Sequence, residues 1–252
     1  MKAYEEYIDT FREADGRLPE MMELKRLHTL KVVENAALIA EGEGFSQEIR
    51  KAAYYAALLH DAGRYEQLKR YNTFRDSDSV DHAVLSYEIV KEKGWLEKEE
   101  GVGQWEEAIL SAILYHNRRE LPGNLDEFTD TLSKIVRDAD KLDIFRVLEE
   151  RIATTDWRKE RAAFWNLSLE DKPSAEVIAA IKEHRPVDYQ HIRSLADFIL
   201  IQVGWIDNGL YFETSKRLAH ERGHLDYRLR FLEKELGVPE ISAGLRGCEI
   251  LI

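Results

Sequence analysis

The chain has 252 residues, and 36 Lys and Arg set against 48 Asp and Glu give a formal charge of −12. That balance argues against a general nucleic-acid binder and a binder of anionic membrane surfaces, because both rest on a cationic face. At 44% hydrophobic and 33% charged residues the composition is that of a globular protein, and no apolar run reaches the roughly 18 residues of a membrane span. A small phosphorylated substrate stays open, since a few local cations outweigh a distant acidic surface. Residues 1–15 mix charged side chains with Tyr and Phe, unlike a signal peptide. The one cysteine, Cys248, can form neither an internal disulfide nor a thiolate metal site. The expected compartment is therefore cytoplasmic, and any metal must be held by nitrogen and oxygen.

Apolar residues recur every three or four positions, with only five prolines and 14 glycines, which predicts an all-α fold. In chain order the pattern predicts helices over about 2–13, 20–41, 46–60, 80–93, 104–117, 126–135, 138–150, 174–183, 190–205, 208–221 and 225–236. Pro19 sits near the start of the second, where its missing N–H costs little. Ser46 opens the third, Gly94 closes the fourth, and Leu121-Pro122-Gly123 separates two more. The charged stretch 61–79 lacks periodicity and reads as a loop. A softer boundary near 155–173 divides the chain into a helical domain, 1–152, and a helical C-terminal extension packed on it, 153–252.

Several polar residues fall on apolar stripes. His28 lies in line with Leu24, Val32 and Ala36; His60 follows Ala53, Ala56 and Ala57; His82 leads Leu85 and Ile89; His116 follows Ile109, Ala112 and Ile113; Asp140 lies between Val136 and Ile144. A buried carboxylate is costly unless paired or bound to a metal. Any one of these histidines alone reads as a hydrogen-bonded core residue. Together with His60-Asp61 they are better explained by a shared cation.

The order His28, His60-Asp61, His82, His116, Asp140, with Leu58-Leu59-His60-Asp61-Ala62-Gly63-Arg64 and Ala139-Asp140-Lys141-Leu142 around it, resembles the HD superfamily of metal-dependent phosphohydrolases over about residues 20–150. The resemblance implies a compact all-α bundle. It also implies that His28, His60, Asp61 and Asp140 are metal ligands, and that His82 and His116 place the chain in the subset holding two ions. Asp61 would bridge them, with His28, His60 and Asp140 on one ion and His82 and His116 on the other. Asp138 and Asp143 compete with Asp140 for that role; the Ala-Asp-basic-Leu pattern favours Asp140. One or two divalent ions are expected, and a His/carboxylate set suits Fe, Mn, Zn, Co or Ni without choosing among them. Two ions about 3.5–4 Å apart activate a water and orient a phosphate. Arg64 is expected to grip a phosphate or a neighbouring carboxylate, beside Asp61 in the catalytic set. Lys141, Arg118 and Arg119 are further cations for the substrate.

His220-Glu221-Arg222-Gly223-His224 matches the H-E-x-x-H pattern of zinc proteases. Arg222 and Gly223 are ill suited to the interior of the one helix that motif requires, and no histidine follows, which would leave Glu249 as third ligand. A helix end at Gly223 is the plainer reading. The expected activity is hydrolysis of a phosphate ester of a small molecule, a nucleotide or related metabolite. The same ligand series also serves diiron oxygenases, and a non-catalytic ligand sensor is the third reading. The expected partner is a small phosphorylated substrate, with no long nucleic acid and no membrane; a homo-oligomer stays open.

Overall fold

The computed structural model describes residues 1–159 and 167–239; Trp165, Cys248 and Glu249 lie outside them. The fold is all-α. Among the described residues the sole sheet-like pairing is an isolated bridge between Ser168 and Ser194. No helix is long and apolar enough to cross a membrane, among the residues described. The chain divides into two units, Met1–Asp143 and Ile144–Ile252.

The first unit opens with α1 (Lys2–Asp9) and α2 (Glu20–Gly42), the latter starting after Pro19. Helix α3 (Gln47–Leu59) is capped by Ser46, whose Oγ accepts the Ile49 N–H at 3.3 Å. Helix α5 (His82–Lys93) is capped by the Asp81 carboxylate and ended by Gly94 at φ 57°, a left-handed stop that glycine adopts cheaply. Helix α6 (Glu106–Tyr115) follows a short 3₁₀ turn. Helix α2 packs on α3, α3 on α6, and α6 on α5. Their shared interior is made of Val32, Ala36, Ile39, Ala53, Ala56, Leu59, Ile109 and Ile113, all essentially without solvent exposure.

Two expectations are corrected in this unit. The stretch read as a loop contains α4 (Gly63–Tyr71). Its surface is too charged to show a stripe, yet Tyr65 and Gln67 are buried and Asn72 closes it in the left-handed conformation. Gly63 is where α4 meets α5: a Cβ there would come within 2.6 Å of the Ser86 backbone nitrogen and 2.8 Å of the His82 carbonyl. The helices expected at 126–135 and 138–150 are one, α7 (Glu127–Thr154). Asp126 caps it through the Thr129 N–H and hydroxyl, at 3.1 and 2.6 Å. The run Val136-Arg137-Asp138 looks like a polar break but is buried. Arg137 reaches the end of α6 and donates to the carbonyls of Tyr115, Arg118 and Arg119.

The second unit holds the rest of α7, then α8 (Ala175–Lys182), α9 (Leu195–Gly204), α10 (Glu213–Glu221) and α11 (His224–Lys234). Helix α9 begins at Leu195 and not near 190, because Ser194 and Asp197 form a reciprocal cap. A five-residue π-helical turn, Trp205–Gly209, follows it, so α10 starts later than 208. Arg228, fully buried, donates to Gln202 Oε1 (2.7 and 2.9 Å), to Glu149 and to the His224 and Phe145 carbonyls.

Candidate metal centre

Helix ends gather the polar groups in the first unit. His60 is the cap residue at the end of α3, and Asp61 follows it directly. His116 holds the matching place after α6, and His82 is the first residue of α5. His28 comes from the middle of α2 and Asp140 from α7. Asn117 and Arg118, just past α6, bind the Asp81 carboxylate that caps α5 (2.9 and 2.7 Å), which draws His116 towards His82.

Asp61, 2% exposed, lies at the middle. Its Oδ2 faces His28 Nε2 and His60 Nε2, each at 3.6 Å. Its Oδ1 faces His82 Nε2 at 3.6 Å and His116 Nε2 at 3.9 Å. Asp140 Oδ1 lies 3.1 Å from His28 Nε2 and 3.8 Å from His60 Nε2. Among the described residues, three groups have ligand atoms close enough to share an ion: His28, His60 and Asp140; His60, Asp61 and His116; and Asp76, Asp81 and His82. Of the two competitors for Asp140, Asp143 takes the other side of the His28 ring at 2.7 Å. Asp138 is buried and falls in none of these groups.

The contacts at Nδ1 set which way each ring faces. His60 Nδ1 and His116 Nδ1 donate to the carbonyls three residues back, Ala57 and Ile113, each at 2.7 Å. His28 Nδ1 meets Asp143 at 2.7 Å and His82 Nδ1 meets Asp76 at 2.6 Å. All four Nε2 atoms are thereby turned inwards. Burial holds His60 below its ordinary pKa, and burial with His82 and His60 nearby pushes His116 down to about 3, so both rings are neutral. Burial also acts to lower His28, but Asp140 and Asp143 outweigh it and raise this ring.

This arrangement fits a cation. His60 Nε2 and Asp61 Oδ1 are buried with no hydrogen-bond partner, and a buried polar atom left so costs about 1–3 kcal/mol. His82 Nε2 and His116 Nε2 lie 3.0 Å apart, each on a ring whose Nδ1 already has a partner, Asp76 and the Ile113 carbonyl. Two imidazoles on one ion, at about 2.0–2.1 Å each, bring their nitrogens to roughly this separation. The donors are imidazole and carboxylate, the chemistry of a divalent transition metal.

Cations stand around the centre. Lys25, a turn before His28 on α2, donates to Asp61 Oδ2 at 2.8 Å and lies 5.6 Å from the Phe74 ring centroid. Sequence reasoning missed it, because a lysine in Glu23-Leu24-Lys25-Arg26 reads as solvent-facing. Arg64 has its Nε 3.4 Å from Asp61 Oδ1, while its Nη1 donates to Gln67, to the Phe74 carbonyl and to Asp76 (2.8, 2.6 and 3.1 Å). It therefore stands between two carboxylates, Asp61 and Asp76. Arg118 is held by Asp81 and is 41% exposed. Arg119 lies at the end of α6, where Arg137 binds its carbonyl. Lys141 follows Asp140 on α7, and burial pushes its ammonium down to about 8.

The H-E-x-x-H run does not lie on one helix. His220 is exposed near the end of α10, Gly223 turns the chain at φ 72°, and His224 starts α11. His224 Nδ1 binds Glu149 at 2.8 Å, so the two histidines share no helix face.

The family model described as HD domain matches residues 27–144 of the chain. HD domains hold divalent metals, and the clusters here could do the same. No curated protein and no solved structure matches the chain.

Proposed function

With residues 27–144 an HD domain, we propose that the protein is a metal-dependent phosphohydrolase acting on a phosphate ester of a small molecule, a nucleotide or related metabolite. The observation that carries the reading is the convergence of four inward Nε2 atoms on the two oxygens of one buried carboxylate, Asp61. His28, His60 and Asp140 would hold one divalent ion, His82 and His116 another, with Asp61 common to both. Bound there, such ions supply Lewis acidity to a phosphoryl oxygen and to the attacking water.

The chain's own groups do the rest. Burial would raise the Asp61 carboxyl, yet Lys25, His60 and Arg64 keep it well below the usual range, so it stays an anion. Burial acts on Asp140 the same way, and His28 and His60 outweigh it. Lys25 gives one N–H to Asp61 and, at 19% exposure, keeps two for an incoming phosphate. Arg64, with its Nη1 shared among three acceptors, holds the Phe74 loop and faces Asp61. Phe74 offers a half-buried ring beside both cations.

The test is metal analysis of protein purified without chelator, with a screen of phosphomonoesters, nucleotides and cyclic nucleotides. Asp61→Ala should lose bound metal and turnover together. Full turnover in that variant, or oxygen consumption without phosphate release, would overturn the proposal. Lys25→Ala should keep its metal and raise KM about 10–100-fold, the worth of one charge-assisted hydrogen bond; an unchanged KM would remove Lys25 from the substrate site.

A further inference from the structure

The four imidazoles are not backed alike. His60 and His116 donate to carbonyls of their own helices, Ala57 on α3 and Ile113 on α6. His28 leans on Asp143, which sits on α7 and is 1% exposed. These three supports are parts of helices. His82 leans on Asp76, whose side chain is 33% exposed and which stands on a 3₁₀ turn, Asp76–Asp78, between α4 and α5.

That turn is fastened from α4. Asp76 Oδ1 accepts Arg64 Nη1 at 3.1 Å and Gln67 Nε2 at 2.9 Å. Gln67, fully buried, also donates to Ser79 Oγ and to the Val80 carbonyl, each at 2.9 Å. Arg64 adds the Phe74 carbonyl at 2.6 Å. Two side chains one helical turn apart thus hold residues 74–80 in place, and those residues hold the His82 ring. Helix α4 begins two residues after Asp61, so the turn, the shared carboxylate and His82 are linked through one short helix.

Resting on the metal-centre reading above, we propose that the two ion positions are unequal and that Asp76 sets the weaker one. The His82/His116 position depends on an orienting carboxylate carried by an exposed turn. The His28/His60/Asp140 position has only helix-borne supports. Asp76 is a positioning residue: it acts by directing His82 Nε2 and touches no substrate. An orienting carboxylate behind a ligand histidine is worth about 10–100-fold in metal affinity, and here that factor falls on one ion of the pair.

The experiment is Mn²⁺ titration of the full chain, followed by calorimetry and by metal counting after gel filtration, for wild type, Asp76→Ala, Asp76→Asn and Asp143→Asn. The wild type should take two ions with different affinities. Asp76→Ala should weaken the looser ion about 10–100-fold and leave the tighter one within about twofold. Asp76→Asn keeps an amide oxygen for the His82 N–H and should lose less, in the same ion. Asp143→Asn should act on the tighter ion. Loss of both ions together in Asp76→Ala, or of neither, overturns the proposal while leaving the metal centre standing. Uptake of only one ion by the wild type overturns it as well. A wild type that takes up no Mn²⁺, nor any other divalent transition metal, overturns the reading on which it rests. Circular dichroism melts keep the result readable, since a misfolded Asp76→Ala is replaced by Asp76→Asn, whose shape is conserved.

Discussion

Burial would raise the Asp61 carboxyl, and it is ionised only because Lys25, His60, Arg64 and His82 surround it. The same balance is struck in the second unit by Glu149. Burial acts to raise it, and the hydrogen bond from His224 with the charge of Arg228 lowers it below its ordinary 4.5. A depressed carboxylate stabilises the fold above its unfolded pKa, and that contribution is lost as pH falls through the folded value. Glu149→Gln should therefore melt lower than wild type at neutral pH, and the gap should close as pH drops below about 4.5. Thermal unfolding followed from pH 7 to 3 checks this; a gap that stays constant would count against it. Removing the side chain altogether strands the fully buried Arg228, so Glu149→Ala should cost about 3–5 kcal/mol in denaturant unfolding.

At this scale the sequence displays the inward His and Asp residues, because each lies on an apolar stripe where polarity is out of place. It does not display their supports. Asp143 meets His28 across 115 positions and Asp76 meets His82 across six, and neither separation is a helical repeat. Lys25 is hidden for the opposite reason: a lysine on a helix is ordinary until the fold places Asp61 2.8 Å away.

Among the elements, α4 departs furthest from what periodicity predicts. Gly63-Arg64-Tyr65-Glu66-Gln67 carries charge on most faces, yet the helix is held by what it touches. Gly63 lies flat against α5, Tyr65 is buried, and Gln67 spends its amide on the following turn. Helix α7 is the companion case, where Arg137 and Asp138 look like a break and are buried. In both, tertiary contacts decide what local pattern leaves open. Gly63→Ala tests the α4–α5 contact. Its methyl would meet backbone at 2.6 and 2.8 Å, and backbone cannot step aside as a flexible side chain can. The expected cost is about 1–3 kcal/mol in denaturant unfolding, with weaker ion binding because Asp61 and His82 flank the contact. A neutral substitution would mean that the helices separate freely.

For the whole molecule, the charge of −12 describes the outer surface and not the centre, where Lys25 and Arg64 stand over Asp61. An ion bound only by the folded state stabilises it by mass action, about 2.7 kcal/mol at a free concentration 100 times Kd. Excess chelator should accordingly lower the melting temperature, and added Mn²⁺ should restore it. A melt indifferent to both would separate the centre from metal altogether. The all-α class and the clustering of the first unit's inward His and Asp residues are legible from the sequence because helical periodicity and the His-Asp series lie in the same stretch. The start of α9 is less so, since the Ser194–Asp197 cap that sets it is a matter of local hydrogen bonding.

The most direct measurement is anomalous diffraction from crystals grown with Mn²⁺, collected on both sides of the metal edge. One peak is expected among His28, His60, Asp61 and Asp140 and a second among Asp61, His82 and His116. Crystals with no peak at Asp61, or with the metal held elsewhere in the chain, would contradict it.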